Sequence, residues 1–221
     1  MEDLLIDFCK KNLNLNSIEY AEPYRSLDIC IIDCVYSLRA KYFQVTVPIV
    51  NRYAERFMNK NKLSTGYTLL DLMNHIEISG GTQKFASDIL KNNQKLSGRL
   101  KSDICYELAR KLRLLSIETI EDFNSYENTE ILEITIRSVK GIGPAGLNYL
   151  FMLASDPNRC KSDVHIHHFI RDAIGKNVTD EECQTLLTFA VKALKPDYPN
   201  ITVRTLDSII WYKYQVGDKH N

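Results

Sequence analysis

Two glycines enclose one isoleucine in the segment Gly141-Ile142-Gly143, and Pro144 follows them directly. Glycine permits a sharp turn and lets a ligand approach the backbone closely, because it has no side chain. Pro144 predicts the first turn of a helix, where its missing N–H is harmless. The remaining N–H groups of that turn, with Lys140 beside them, could bind a phosphate oxygen. A purely structural helical hairpin would explain this pattern equally well if it stood alone.

An aspartate, Asp163, follows Gly141 at a distance of 22 residues. A carboxylate beside a sugar can stabilise an oxocarbenium-like charge and activate water, which is the chemistry that cleaves an N-glycosidic bond. A structural role is also open, because Ser162 and Asp163 could cap a helix that begins at Val164. The two roles are compatible with each other.

The hairpin and the aspartate together resemble the helix-hairpin-helix superfamily of DNA glycosylases, in particular its endonuclease III-like members. Those enzymes have a Gly-hydrophobic-Gly hairpin, a helix, a short loop, and then an aspartate followed by a small residue and a histidine, here Asp163-Val164-His165. The resemblance spans most of the chain and is strongest over residues 130–175. It implies double-stranded DNA as the partner, Asp163 as the catalytic carboxylate, and a set of DNA-backbone contacts: Lys140, Gly141, Gly143 and Ala145.

One position departs from the family pattern. Members that also cut the DNA backbone carry a lysine at the fourth residue after the first glycine, where it forms a Schiff base. This sequence has Ala145 there. The resemblance therefore implies a monofunctional glycosylase that hydrolyses the bond to a damaged or modified base and leaves an abasic site.

The superfamily fills the gap left by a flipped base with a side chain from the loop after its early buried helix. The matching loop here is 37–44, in which the resemblance suggests Arg39 and Tyr42 as wedge or probe. A solvated loop whose aromatic rings pack into the core is an equal alternative. Three residues are weak candidates for the base pocket, and core packing explains each of them more simply: Tyr36, His165 and Trp211.

Charge and composition give no general sign of nucleic-acid binding. The chain has 28 basic and 28 acidic residues, so a DNA-binding surface must be a local patch. A second set of cations could contact phosphates, although a solvated charged face is the commoner explanation. That set is Lys84, Lys95, Arg99 and Lys101.

Metals and cofactors are not expected. Only Cys160 and Cys183 fall in the last third of the chain, too few for an iron–sulfur cluster there. All six cysteines are expected to be free thiols, mostly in the core. The cluster His165, His167 and His168 could hold a metal, but packing or a contact near DNA is the preferred interpretation.

The chain begins with acidic residues and contains no run of about 18 apolar residues, so neither a leader nor a membrane span is predicted. We expect a cytoplasmic, DNA-associated protein without membrane contact, and a monomer. Three alternatives to a repair glycosylase remain open. One is a defence enzyme that excises hypermodified bases from phage DNA, and another is a catalytically silent helix-hairpin-helix module that only binds DNA. The third is a helical interaction protein unrelated to DNA.

Apolar residues recur at helical spacing along nearly the whole chain, which predicts an all-α fold. We expect residues 27–155 to form a helical barrel lobe with the hairpin, residues 1–26 and 156–221 to form a second lobe, and DNA to lie in a cleft between them. The predicted helices are 4–8, 27–38, one opening at Pro48, 68–76, one capped by Thr82, 102–115, 117–123, 129–139, 144–154, 164–174 closed by Gly175, 180–194 and 202–214.

Overall fold

A computed structural model describes residues 2–16 and 22–217 of the chain. Helices dominate the described residues, which confirms the all-α prediction. The α-helices are α1 (Glu2–Asn12), α2 (Leu27–Ser37), α3 (Val47–Phe57), α4 (Leu69–Ile78), α5 (Thr82–Lys84), α6 (Lys101–Arg113), α7 (Ile120–Ser125), α8 (Thr129–Arg137), α9 (Pro144–Leu153), α10 (Val164–Ile174), α11 (Asp180–Leu194) and α12 (Val203–Gly217). Two π-helical turns, Tyr42–Thr46 and Phe85–Ile89, lead into α3 and follow α5.

Helix α2 lies at the centre of a hydrophobic core. Every residue from Leu27 to Ser37 is buried, and apolar residues all round a helix are typical of such a position. Two of these buried residues, Asp28 and Asp33, are acidic. A buried carboxyl group needs hydrogen-bond partners, so α2 must also organise polar contacts inside the core.

The caps of α10 lie where the sequence predicts them, and the bounds of α11 also match the prediction. Asp163 caps α10, and Gly175 closes it in the left-handed conformation with a φ of 76°. Thr179 and Glu182 form a reciprocal capping box at the start of α11. These signals act within one helical turn, which is why sequence alone locates both helices.

Two local predictions were wrong. Thr82 does not cap α5: the N-cap is Gly81, and the Thr82 hydroxyl donates to Asp103 over 2.5 Å instead. The sequence also predicted no strands, yet β1 (Lys95–Leu96) pairs antiparallel with β2 (Arg99–Leu100). Strands of two residues are too short to show an alternating pattern, and only the positive-φ turn between them specifies the hairpin.

The chain divides into two compact units, each with its own core. One unit is Glu22–Ala154, in which α2 packs against α3, α6 and α9. The other combines Met1–Ala21 with Ser155–Asn221, and there α1 and α12 pack against α10 and α11. The glycine hairpin belongs to the first unit and Asp163 to the second.

All six cysteines are free and buried, which confirms the prediction for them. No helix in the described ranges is both long enough and apolar enough to cross a membrane.

Candidate functional site

The turn between α8 and α9 requires glycine at its first position. Gly141 has a φ of +114°, and a Cβ there would lie 2.9 Å from Cδ1 of Ile104 and 3.3 Å from Cδ2 of Leu96. Ile142 is buried, and its N–H donates to the carbonyl of Val139 over 3.0 Å. The isoleucine therefore anchors the turn in the core, while Leu96 brings the β1–β2 hairpin against it.

The second glycine leaves open space at the start of α9. A Cβ on Gly143 would meet nothing within 4 Å, and no side chain caps the helix. The first-turn N–H groups of a helix have no partner within that helix, and Pro144 lacks an N–H altogether. Lys140 is exposed beside the turn, and Ala145 is half-buried within it. This arrangement can accept an anionic oxygen.

The loop after α2 exposes one cation in an uncommon backbone conformation. Arg39 is exposed and has a φ of 54°, in the left-handed region that non-glycine residues rarely adopt. Tyr42 differs, because it is half-buried and its hydroxyl donates to Oδ2 of Asp33 over 2.8 Å. The neighbouring Phe43 is the exposed aromatic ring, with 45% of its surface accessible. A DNA contact from this loop therefore fits Arg39 and Phe43 better than Tyr42.

Asp163 caps α10 with one of its two carboxyl oxygens. Oδ1 accepts hydrogen bonds from the backbone N–H groups of His165, at 2.9 Å, and Ile166, at 3.3 Å. The structural role considered from the sequence is thus confirmed. Among the described residues, both hydrogen bonds to this carboxyl group fall on Oδ1, and the side chain is only half-buried. Capping therefore leaves Oδ2 for a water or a ligand.

A second carboxyl group that the sequence reasoning missed, Asp207 on α12, supports Asp163. Asp207 is buried, and its Oδ1 accepts the backbone N–H of Lys161 over 2.9 Å. The carbonyl of Lys161 in turn accepts the N–H of Asp163 over 2.6 Å. Burial is the largest cause that raises the pKa of Asp207 well above its ordinary value, and the charge of Asp163 is the second. The one signal in the sequence was an acidic residue among the apolar positions of α12.

Two of the three weak pocket candidates meet in the same unit as Asp163. The rings of His165 and Trp211 pack edge to face, with centroids 6.3 Å apart. Trp211 lies one helical turn beyond Asp207 on α12, and it also contacts the exposed ring of Tyr212. The start of α10 and one face of α12 thus bring together two carboxyl groups and a cluster of half-exposed rings.

Tyr36, the third pocket candidate, does not fit that role. Its side chain is fully buried in the core of the Glu22–Ala154 unit, with Nζ of Lys101 5.7 Å from the ring centroid. A ring enclosed in this way has no face on which a base could stack. The simpler explanation, core packing, accounts for Tyr36.

Lys101 is buried, so neither of the two roles considered for it from the sequence, a phosphate contact or part of a solvated charged face, fits. Only 2% of the residue is exposed, and Nζ donates to the carbonyl oxygens of Tyr36 and Leu38 and to Oε1 of Gln94. Arg99 forms an ion pair with Glu107 at 2.6 Å. Two members of the set stay exposed: Lys84 and Lys95.

His167 packs α10 against α11. Nε2 of His167 lies 2.9 Å from Oδ1 of Asp180, and its Nδ1 lies 3.5 Å from the buried Sγ of Cys183. Burial raises the pKa of that thiol to about 12, so it is a poor nucleophile at neutral pH. Within the described part of the chain, no three His, Cys, Asp or Glu side chains are grouped so that they could hold a metal ion.

Comparison with known families gives a match over most of the chain. A family model described as "Domain of unknown function (DUF8548)" matches residues 3–215, which include the hairpin, Asp163 and Asp207. A search among curated proteins found no match to the chain. Neither result names an activity.

Proposed function

The chain belongs to this family of unknown function, and we propose that it is a monofunctional DNA glycosylase. It would flip a damaged or modified base out of double-stranded DNA and hydrolyse the bond between base and sugar. The observation that carries the proposal is Asp163. It follows Gly141 by 22 residues, the spacing of the helix-hairpin-helix glycosylases that the sequence resembles, and it keeps one carboxyl oxygen outside its capping bonds.

In the proposed reaction, the bond between C1′ of the sugar and the nitrogen of the base breaks as a water oxygen bonds to C1′. Oδ2 of Asp163 accepts a proton from that water, and its charge offsets the positive charge that develops on the sugar. The departing base takes up a proton from solvent. Ala145 offers no amine for a Schiff base, so the DNA backbone stays intact and the product is an abasic site.

Neighbouring residues have supporting roles in this proposal. Asp207 is a positioning residue, because it acts on Asp163 through the backbone of Lys161. The half-buried rings of His165 and Trp211 offer faces and edges against which a flipped base could stack. Which base is accepted depends on side chains around these rings.

The DNA contacts are proposed from exposed groups in the other unit. Lys140 and the first turn of α9 would bind a backbone phosphate, since the open space at Gly143 allows close approach. Arg39 would enter the gap that the flipped base leaves, with Phe43 beside it.

A silent DNA-binding module is the second candidate, and one observation favours it. The capping bonds of Asp163 are sufficient to explain an aspartate at this position without any chemistry. Such a module would bind DNA through the hairpin and release no base.

Substitution of Asp163 by asparagine separates the two candidates. Asparagine caps a helix about as well as aspartate, so the melting temperature of Asp163→Asn should match that of the wild type. It cannot act as a base, so the rate of base release should fall by about 10²- to 10⁴-fold. The assay uses unmodified, alkylated, deaminated and phage-type hypermodified duplexes, and it scores abasic sites as strand breaks after alkali.

The control is Asp180→Asn, which removes a carboxyl group from the first turn of α11 in the same unit. It should retain activity. Breaks without alkali would contradict the monofunctional assignment based on Ala145. Salt-sensitive binding without base release from any duplex would favour the silent module.

A further inference from the structure

A buried carboxyl group in the Glu22–Ala154 unit collects three tyrosine hydroxyls. Asp33, near the middle of α2, has no exposed surface. The hydroxyls of Tyr24 and Tyr42 both donate to its Oδ2 at 2.8 Å, and the hydroxyl of Tyr149 donates to its Oδ1 at 2.8 Å. Burial is the largest cause that raises the pKa of all three tyrosines, so the hydroxyls remain donors at neutral pH.

These tyrosines come from three different segments. Tyr24 precedes α2, Tyr42 begins the π-helical turn after it, and Tyr149 lies on α9, the helix that follows the glycine hairpin. Enclosing a carboxyl group in a core is costly, and an apolar side chain could fill the same space. The arrangement therefore needs a reason beyond packing, and the segments that it joins suggest one.

The loop between α2 and the π-helical turn is held at both ends. At its start, the carbonyl of Leu38 accepts a hydrogen bond from Lys101 at 2.8 Å, and a Cβ on Gly146 would lie 3.2 Å from Cδ1 of Leu38. At its end, Tyr42 is bonded to Asp33. Arg39 lies between these two anchors in the left-handed conformation, which persists only where the surroundings impose it.

We propose that Asp33 is a positioning residue that couples the Arg39 loop to the hairpin helix α9. The loop and the hairpin would then hold fixed positions relative to each other when both contact DNA. The hydroxyl of Tyr42 donates to Asp33 from the loop side, and the hydroxyl of Tyr149 donates to it from the helix side. The inference rests on the proposed function for its DNA role. The hydrogen bond from Tyr42 to Asp33, here called the tether, is testable without DNA.

Trypsin tests the tether directly, because Arg39 and Lys41 are exposed cleavage points on either side of Ala40. Tyr42→Phe removes only the hydroxyl that bonds the end of the loop to Asp33. Cleavage after Arg39 and Lys41 should then become several-fold faster than in the wild type. The matched control is Tyr24→Phe, which removes a hydroxyl that donates to the same oxygen at the same distance from outside the loop. It should leave the cleavage rate unchanged.

DNA binding tests the role of the tether. Fluorescence anisotropy compares an intact duplex with one that contains a tetrahydrofuran abasic analogue, whose gap a positioned Arg39 would fill. Tyr42→Phe and Arg39→Ala should each reduce the preference for the analogue by about tenfold, while Tyr24→Phe retains it. Affinity for the intact duplex, carried by the hairpin, should change little. Melting temperatures establish that each variant is folded; Asp33→Ala is avoided because it would orphan three hydroxyls.

Each outcome decides one claim. Equal effects of Tyr42→Phe and Tyr24→Phe, or no effect of either on cleavage, would overturn the tether. Faster cleavage of Tyr42→Phe with an unchanged preference for the analogue would overturn its role in DNA binding. The preference for the abasic analogue could depend on Tyr42 while the protein releases no base from any duplex. That result would support the tether and contradict the glycosylase proposal.

Discussion

Asp207 shows how burial and a neighbouring charge act on one residue. Its pKa is raised well above the ordinary value, first by burial and then by the charge of Asp163. Below the ordinary pKa of about 4, both the folded and the unfolded chain hold this proton, so folding has no penalty from it. As the pH rises, the unfolded chain releases the proton before the folded chain does. Asp207 should therefore lower the stability of the wild type progressively as pH rises from about 4 towards the raised pKa.

Asp207→Asn removes this titration while keeping an oxygen that can accept the N–H of Lys161. We expect the variant to gain stability relative to the wild type as pH rises from about 4 to about 8. Thermal melts of both proteins across this range measure the difference. Asp3→Asn, at an exposed position of the same unit, controls for the loss of one carboxyl group. A difference that is constant with pH would contradict the argument.

At the level of elements, Lys101 connects the start of α6 to the end of α2. Its ammonium group donates to the carbonyl oxygens of Tyr36 and Leu38, which the end of a helix leaves without partners. A cation is also favourable there because of the helix dipole. The residue that the sequence suggested as a DNA contact is therefore a cap for the central helix.

Lys101→Met should keep the apolar stem and remove the donor from those carbonyl groups, of which that of Tyr36 is buried and that of Leu38 is partly buried. A buried polar group without a partner costs about 1–3 kcal/mol, so the free energy of unfolding should fall by about that amount. Urea unfolding measures it. Lys95→Met, the same change at an exposed lysine, should stay within about 0.5 kcal/mol of the wild type. Equal losses in the two variants would refute the capping role.

For the whole molecule, the formal charge of zero means that the proposed DNA binding would depend on a few local cations. Lys140 is the cation beside the open end of α9. Lys140→Ala should weaken binding about equally for all duplex sequences and reduce the slope of log K against log salt concentration by about 0.9. Titrations at several salt concentrations measure the slope. Lys192→Ala, at an exposed position on α11, should leave the slope unchanged.

The parts of the fold that sequence predicts well depend on neighbouring residues. Helices α10 and α11 begin and end at their predicted residues because capping side chains and a left-handed glycine act within one turn. The requirement for Gly141 follows from its backbone conformation. The burial of helix α2 follows from apolar residues that surround the helix axis.

Tertiary structure decided which polar residues are buried and what they contact. Asp33 reaches Tyr149 across 116 residues of sequence, and Asp207 reaches Lys161 across 46. Lys101 looked like a surface cation, because charge and spacing alone do not reveal that its ammonium group meets the end of another helix. The sequence by itself thus determined most of the helices, the caps of α10 and the Gly141 turn, through forces that act over a few residues. The partners of the buried charges depend on the packing of distant segments, so only the tertiary structure could assign them.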